Sequence, residues 1–204
     1  PVVVGKMMFV GSSHNDSVTA YNTDTGAEIW RFYANGPVRF APVAHQGELY
    51  FGSDDGFFCC LDQKTGKLLW KLCEPPKRKV LGNERLTSVQ PIRGGPVLID
   101  GKIFFTAGIW PFEGTFLYSV DADKATGASK KPQHIVVDLN AQKFTDLSSG
   151  TKLGTGQTPQ GYLAAVQNKV VIPCGRAFPF FFNTKTGKIE ELKDKIRLWM
   201  SSYT

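Results

Sequence analysis

Short runs of apolar residues, four to six long and rich in Val, Ile, Phe, Tyr and Leu, alternate along the chain with Gly, Asp, Asn and Thr. No helical period of ten to fifteen residues separates these runs, so the pattern predicts strands joined by tight turns and excludes a parallel α/β arrangement. The runs also repeat. Residues 1–12 align with residues 42–53: each opens on Pro-Val, passes a Gly at Gly5 or Gly47, and closes on Gly11-Ser12 or Gly52-Ser53. After each comes a polar turn, an apolar run ending at Asn22 or Asp62, a Thr-Gly pair and a strand ending in Trp30 or Trp70.

A third copy runs from Gly95 through Asp121 to Thr126-Gly127, and a weaker fourth from Gly161 through Asn183 to Thr186-Gly187. The glycines Gly26, Gly66, Gly127 and Gly187 lie 40, 61 and 60 residues apart, so the later units must carry insertions. Each unit offers four short strands, and four antiparallel strands of ~40 to 50 residues make one propeller blade. A blade cannot bury both faces alone and must stack on neighbours. The expected fold is therefore all-β: a β-propeller of four-stranded antiparallel blades, about four of them present, belonging to a larger ring of about seven or eight. The repeats are expected at 1–34, 38–73, 88–137 and 158–194 of one partial propeller, with an irregular insertion over 128–157. Gly26, Gly66, Gly127 and Gly187 stand where the third strand of each unit reverses into the fourth, a turn that favours positive φ. Asp55-Gly56 suggests a two-residue hairpin, and Asp16, Asp54 and Asp55 read as turn residues.

Composition narrows the classes. The 204 residues are 42% apolar and 21% charged, which excludes disordered and collagen-like chains. No run approaches the ~20 apolar residues of a membrane span, and the chain starts at Pro1 in mid-pattern, so an export signal is expected to have been removed or to lie upstream. The net charge of +6, with basic residues at Lys77-Arg78-Lys79 and Arg85, favours anionic partners or marks a solvated loop; nucleic acid is not expected as a partner. The four cysteines, Cys59, Cys60, Cys73 and Cys174, form no C-x-x-C pair and have no His at zinc spacing, so no metal site is expected. His14, His45 and His134 fall in unrelated contexts, and no Ser-His-Asp or Cys-His arrangement is suggested.

The run Gly52-Ser53-Asp54-Asp55-Gly56, Leu61-Asp62, Thr65-Gly66-Lys67 and Trp70 resembles the repeat of quinoprotein alcohol dehydrogenases and their cofactor-free relatives. The segments Gly108–Gly114 and Thr158–Tyr162 resemble planctomycete-type multi-blade proteins with PQQ-binding-like repeats. The resemblance implies that Trp30 and Trp70 act as docking tryptophans, each indole packing on a neighbouring blade. Units three and four carry no Trp at that place. It also implies a periplasmic or extracellular protein. Completion of the ring falls to the remaining blades of the same propeller or to another chain. An enzyme of this kind would need a catalytic Asp, a calcium site and a Trp beneath the quinone, and no residue here maps onto those positions. No cofactor is evident; PQQ with calcium enters only if this chain is a fragment of a dehydrogenase whose catalytic blades lie elsewhere.

Candidate sites follow from the aligned units. Arg39 and Arg93 each stand three residues before the proline that opens an innermost strand, Gln160 falls near the same place in the fourth unit, and Arg176 follows Cys174-Gly175. Converging there, they would bind a carboxylate or phosphate; alternatively they tie blade to blade through carbonyls or carboxylates. Trp110 and Phe112, in an insertion that replaces the Ser53–Gly56 turn, suit either partner recognition or gap filling. Cys59 and Cys60 invite a redox reading, because related dehydrogenases place an adjacent-cysteine disulfide over the quinone. In a strand, however, adjacent residues point to opposite neighbours, where each thiol packs as a small apolar group. The expected function is an exported binding or scaffold module, met by a protein or an anionic small molecule.

Overall fold

The computed structural model describes residues 1–73, 78–82, 84–122, 134–139, 143–145, 152–154, 158–175 and 179–191. Blade one contains β1 (Val2–Val4), β2 (Met7–Ser12), β3 (Ser17–Asn22) and β4 (Glu28–Tyr33); blade two contains β5 (Val43–His45), β6 (Glu48–Gly52), β7 (Phe58–Asp62) and β8 (Leu68–Leu72). A hairpin, β9 (Lys79–Gly82) and β10 (Arg85–Ser88), and the two-residue β11 (Gly94–Gly95) lead into blade three: β12 (Val97–Ile99), β13 (Lys102–Ala107), β14 (Phe116–Asp121) and β15 (His134–Asp138). A second hairpin, β16 (Lys143–Thr145) with β17 (Lys152–Gly154), and β18 (Gly161–Tyr162) precede blade four: β19 (Ala164–Val166), β20 (Lys169–Ile172), β21 (Phe180–Asn183) and β22 (Lys188–Glu191). Each blade is a four-stranded antiparallel meander in sequence order, so the fold is all-β and of propeller type.

The first strands of neighbouring blades approach each other, β1 with β5 and β12 with β19, and β11 pairs in parallel with β18. First strands are therefore innermost. Period-two alternation divides each of the two middle blades between two cores. In blade two, Leu49, Phe51, Cys59 and Leu61 join Phe9, Val18 and Ala20 of blade one, while Tyr50, Phe58 and Cys60 join Ile103, Phe105 and Tyr118 of blade three. Phe58 stacks on Phe105 at 3.8 Å between ring centroids, within 7° of parallel. Blades three and four share a third core, including Phe104, Leu117, Val170, Ile172 and Phe182.

The Thr-Gly turns repeat atom for atom. Asn22, Asp62 and Asn183 each accept, through Oδ1, the amides two and three residues on. Gly26, Gly66 and Gly187 each donate their amide back to that same residue and hold φ of 73°, 70° and 67°. Gly127 lies outside the described residues. Trp30 lies on the second of these turns: its Nε1 donates to the Gln63 carbonyl at 3.1 Å, and a Cβ on Gly66 would come within 2.6 Å of the indole.

Two local expectations are corrected. Asp55-Gly56 does not make a two-residue hairpin. Five residues, 53–57, join β6 to β7, with the Ser53 amide donating to the Phe57 carbonyl and Gly56 to Ser53. Asp55 caps this loop by accepting from the Phe57 amide at 3.1 Å, and that cap requires the extra length. The basic stretch around Arg78 and Arg85 is largely solvent-exposed, but it is a paired hairpin rather than a loop. Arg85 holds it against blade one by donating to Asp16 at 2.8 Å.

Candidate functional site

Successive strands run in opposite directions, so the turns between second and third strands emerge on the same face as the connections from one blade to the next. This face carries residues 13–16, 53–57 and 108–115, the β9–β10 and β16–β17 hairpins, and the lead-in segments around Arg39, Arg93 and Gln160. The opposite face carries the tight turns at 5–6, 46–47, 100–101 and 167–168 and the Thr-Gly turns. Among the described residues the longer loops lie on this side, the arrangement by which a rigid scaffold presents recognition loops.

On that side Arg39 and Arg93 converge on one carboxylate. Asp54 accepts from Arg39 Nε at 2.8 Å and from Arg93 Nε and Nη2 at 2.8 and 2.9 Å. Its side chain is 3% exposed, against 36% for Arg39 and 23% for Arg93. The carboxylate is sealed while both arginine side chains stay partly exposed. The Asp54 backbone is held just as closely. Its amide donates to the Pro37 carbonyl at 3.0 Å, and its own carbonyl accepts from the Ser88 amide at 2.9 Å and the Thr87 hydroxyl at 3.0 Å. Two cations meet one buried anion, and the next residue, Asp55, is a second buried carboxylate engaged by the Ser53 hydroxyl and the Phe57 amide. Arg93 spends its planar fork on Asp54; Arg39 engages through Nε alone, and its Nη groups make no hydrogen bond among the described residues.

The lead-in segments lock together at the centre. The Gly161 amide donates to the Arg93 carbonyl at 3.1 Å, which brings Gln160 beside Arg93 through the backbone. Tyr162 reaches across to blade two, where its hydroxyl accepts from the Ala41 amide at 3.1 Å and its ring meets Phe40 edge-on at 5.1 Å. Gly95 lies between these rings, and a Cβ there would stand 2.7 Å from Tyr162 and 3.2 Å from Phe40. Gln160 makes no side-chain hydrogen bond to either arginine. Arg176 lies outside the described residues.

Trp110 is 56% exposed and precedes a short 3-10 turn, Pro111–Glu113, on the same face. Glu113 anchors that turn through an ion pair with Arg78 and a hydrogen bond donated by Gln90 to its carbonyl. The Phe112 side chain lies outside the described residues. Cys59 and Cys60 are free, buried thiols in separate cores. Burial pushes both thiols far above the ordinary thiol value; a neighbouring Asp55 adds to the shift at Cys59 and Glu48 at Cys60.

Asp54 and Tyr162 are the residues that the repeat pattern does not single out. Asp54 sits in an Asp-Asp-Gly string that reads as turn chemistry. The available signal was the pair of aligned arginines, since two guanidinium groups at equivalent inner positions call for a shared carboxylate.

Stacked four-stranded meanders with one loop-bearing face define a segment of a β-propeller. The first 102 residues match the PQQ-repeat family described as outer membrane protein assembly factor BamB, and the chain belongs to that family. It is 29% identical over 119 residues to the dehydrogenase subunit of a quinone alcohol dehydrogenase from Gluconobacter oxydans, a match that covers 53% of this chain and 15% of that protein. Among solved structures, the quinohemoprotein alcohol dehydrogenase of Comamonas testosteroni superposes with a TM-score of 0.65 at 19% identity, over 94% of this chain and 34% of that one. BamB of Moraxella catarrhalis superposes with a TM-score of 0.58 at 17% identity, over 92% and 45%. The chain thus spans less than half the length of each.

A quinone with a bound cation is implied by the dehydrogenase relatives. Among the described residues no three His, Cys, Asp or Glu side chains gather to hold an ion. The adjacent cysteines diverge into different cores instead of facing one space. The described residues do not form a seat for that group.

Proposed function

We propose that this chain is an exported binding module, periplasmic or extracellular, in a propeller completed by further blades of the same protein or of another chain. Its loop-bearing face takes an anionic group, a carboxylate or phosphate, at the mouth of the central channel. The observation that carries this reading is the Arg39–Asp54–Arg93 cluster, in which two guanidinium groups share one buried carboxylate and both arginine side chains stay partly exposed. Arg39 is the contacting residue, Arg93 and Asp54 hold it in place, and Gln160 and Arg176 are offered as further donors. Trp110 and Phe112 extend the surface toward a protein partner. The seat of Trp30 on Gly66 supports the docking-tryptophan reading of the repeat.

Titration with inorganic phosphate, followed by amide chemical shifts, tests the site. Shifts are expected at Phe40 and Ala41, and Arg39→Gln should abolish them while changing stability by less than about 1 kcal/mol. Asp54→Asn, which leaves two cations facing each other, should cost about 3 kcal/mol in urea unfolding. Undiminished phosphate shifts in Arg39→Gln would remove the proposal and leave the arginines as blade-to-blade ties.

A further inference from the structure

The interface between blades one and two is closed by Trp30, whose register partner is Ala20. In blade two the same position is Trp70, paired with Cys60. In blade three the position falls to Ile135, paired with Ser119. Where an indole closes the first interface, the third therefore has a much smaller residue.

The receiving side has not changed to match. Blade four presents the same turn that blade two presents to Trp30: Thr184 takes the place of Gln63 and Gly187 that of Gly66, with matching backbone hydrogen bonds and φ. A Cβ on Gly66 would strike Trp30, whereas one on Gly187 would meet none of the described residues within 4 Å. Between the two blades lies a partly open pocket of about 190 Å³, lined by Lys102, Phe104, Leu117, Tyr118, Ser119 and Val137 on one side and Phe182, Thr184 and Gly187 on the other. An engineered apolar cavity of ~150 Å³ suffices to bind benzene.

We propose that this cavity is a binding site for a planar bicyclic aromatic bearing an N–H donor, of the size and polarity of indole, seated as Trp30 is seated between blades one and two. The ring lies flat on Gly187, where no described side chain intervenes. Its N–H donates to the Thr184 carbonyl, the counterpart of the Gln63 carbonyl that accepts from Trp30. Phe104 takes the place of Phe9, which lies 5.7 Å from the Trp30 ring. The site is lined by the Thr184–Gly187 turn, on the face opposite the arginine cluster, so it is independent of the anion-binding reading.

Indole titrated into the full chain, read by amide chemical shifts, provides the test. Saturable shifts at Thr184, Gly187 and Ser119 are expected. N-methylindole, which lacks the donor, should bind about fivefold more weakly. Ile135→Trp, which supplies the chain's own indole, should abolish the shifts and raise Tm by about 3 °C. Should that variant not fold, Val137→Phe fills the same space and should also abolish them. Shifts absent at Gly187, equal affinity for N-methylindole, or undiminished binding in the folded filled variant would each overturn the proposal.

Discussion

Cys59 and Cys60 leave β7 on opposite sides, one toward blade one and one toward blade three. Burial raises both thiols, and it pushes Cys174 up to about 11. A thiol whose folded value lies above its unfolded value favours the fold while it stays protonated. That contribution is whole below the unfolded value of ~8.5 and is lost as pH rises toward the folded one. The urea midpoint is therefore expected to fall between pH 8 and pH 10. Over the same range iodoacetamide should label half-buried Cys73 well before Cys59 or Cys60. Labelling of the adjacent pair at the rate of Cys73 in folded protein would contradict their burial. At this scale strand alternation is legible from the residues alone, because side chains alternate whatever surrounds them. The capture of two arginines by Asp54 is not legible, since Arg39 and Arg93 lie 15 and 39 residues from it along the chain.

The repeating element is the Thr-Gly turn between third and fourth strands, and its residues announce it: an Asn or Asp to cap, then Gly where φ is positive. What rests on the turn differs from blade to blade. Gly26 and Gly66 share their backbone conformation, yet no described residue lies within 4 Å of a Cβ on Gly26 while Gly66 lies under Trp30. Alanine at either position incurs the same left-handed strain of about 1 kcal/mol. Only Gly66→Ala must also expel the indole and its hydrogen bond, so its loss of stability is expected to exceed that of Gly26→Ala by about 2 kcal/mol. Equal unfolding free energies in urea would show that Trp30 contributes nothing at this interface. The absence of Trp from unit three is visible in the sequence, but the void it leaves is not. A void depends on whether the neighbouring blade closes up, and the turn at Gly187 keeps its place.

Across the whole molecule, blades two and three each share two cores while blades one and four share one among the described residues, so stability is expected to peak in the middle of the stack. Every residue of β6 is buried, whereas Val3 and Val4 in β1 and all of β19 are exposed. Amide exchange should be slowest in β6, β7, β13 and β14 and faster in β1, β19 and the β9–β10 hairpin. Uniform protection across all four blades would refute this gradient. The strands, their antiparallel order and the propeller class were determined by the sequence itself, because period-two burial and turn chemistry are local properties that recur with each unit. The tertiary structure alone decided which loops share a face, that Asp54 neutralises one of two converging arginines, that Tyr162 crosses from blade four to Phe40, and that a cavity lies between blades three and four. These are outcomes of stacking one blade on the next, and the distances they depend on exist only once the chain has closed residues far apart in sequence into contact.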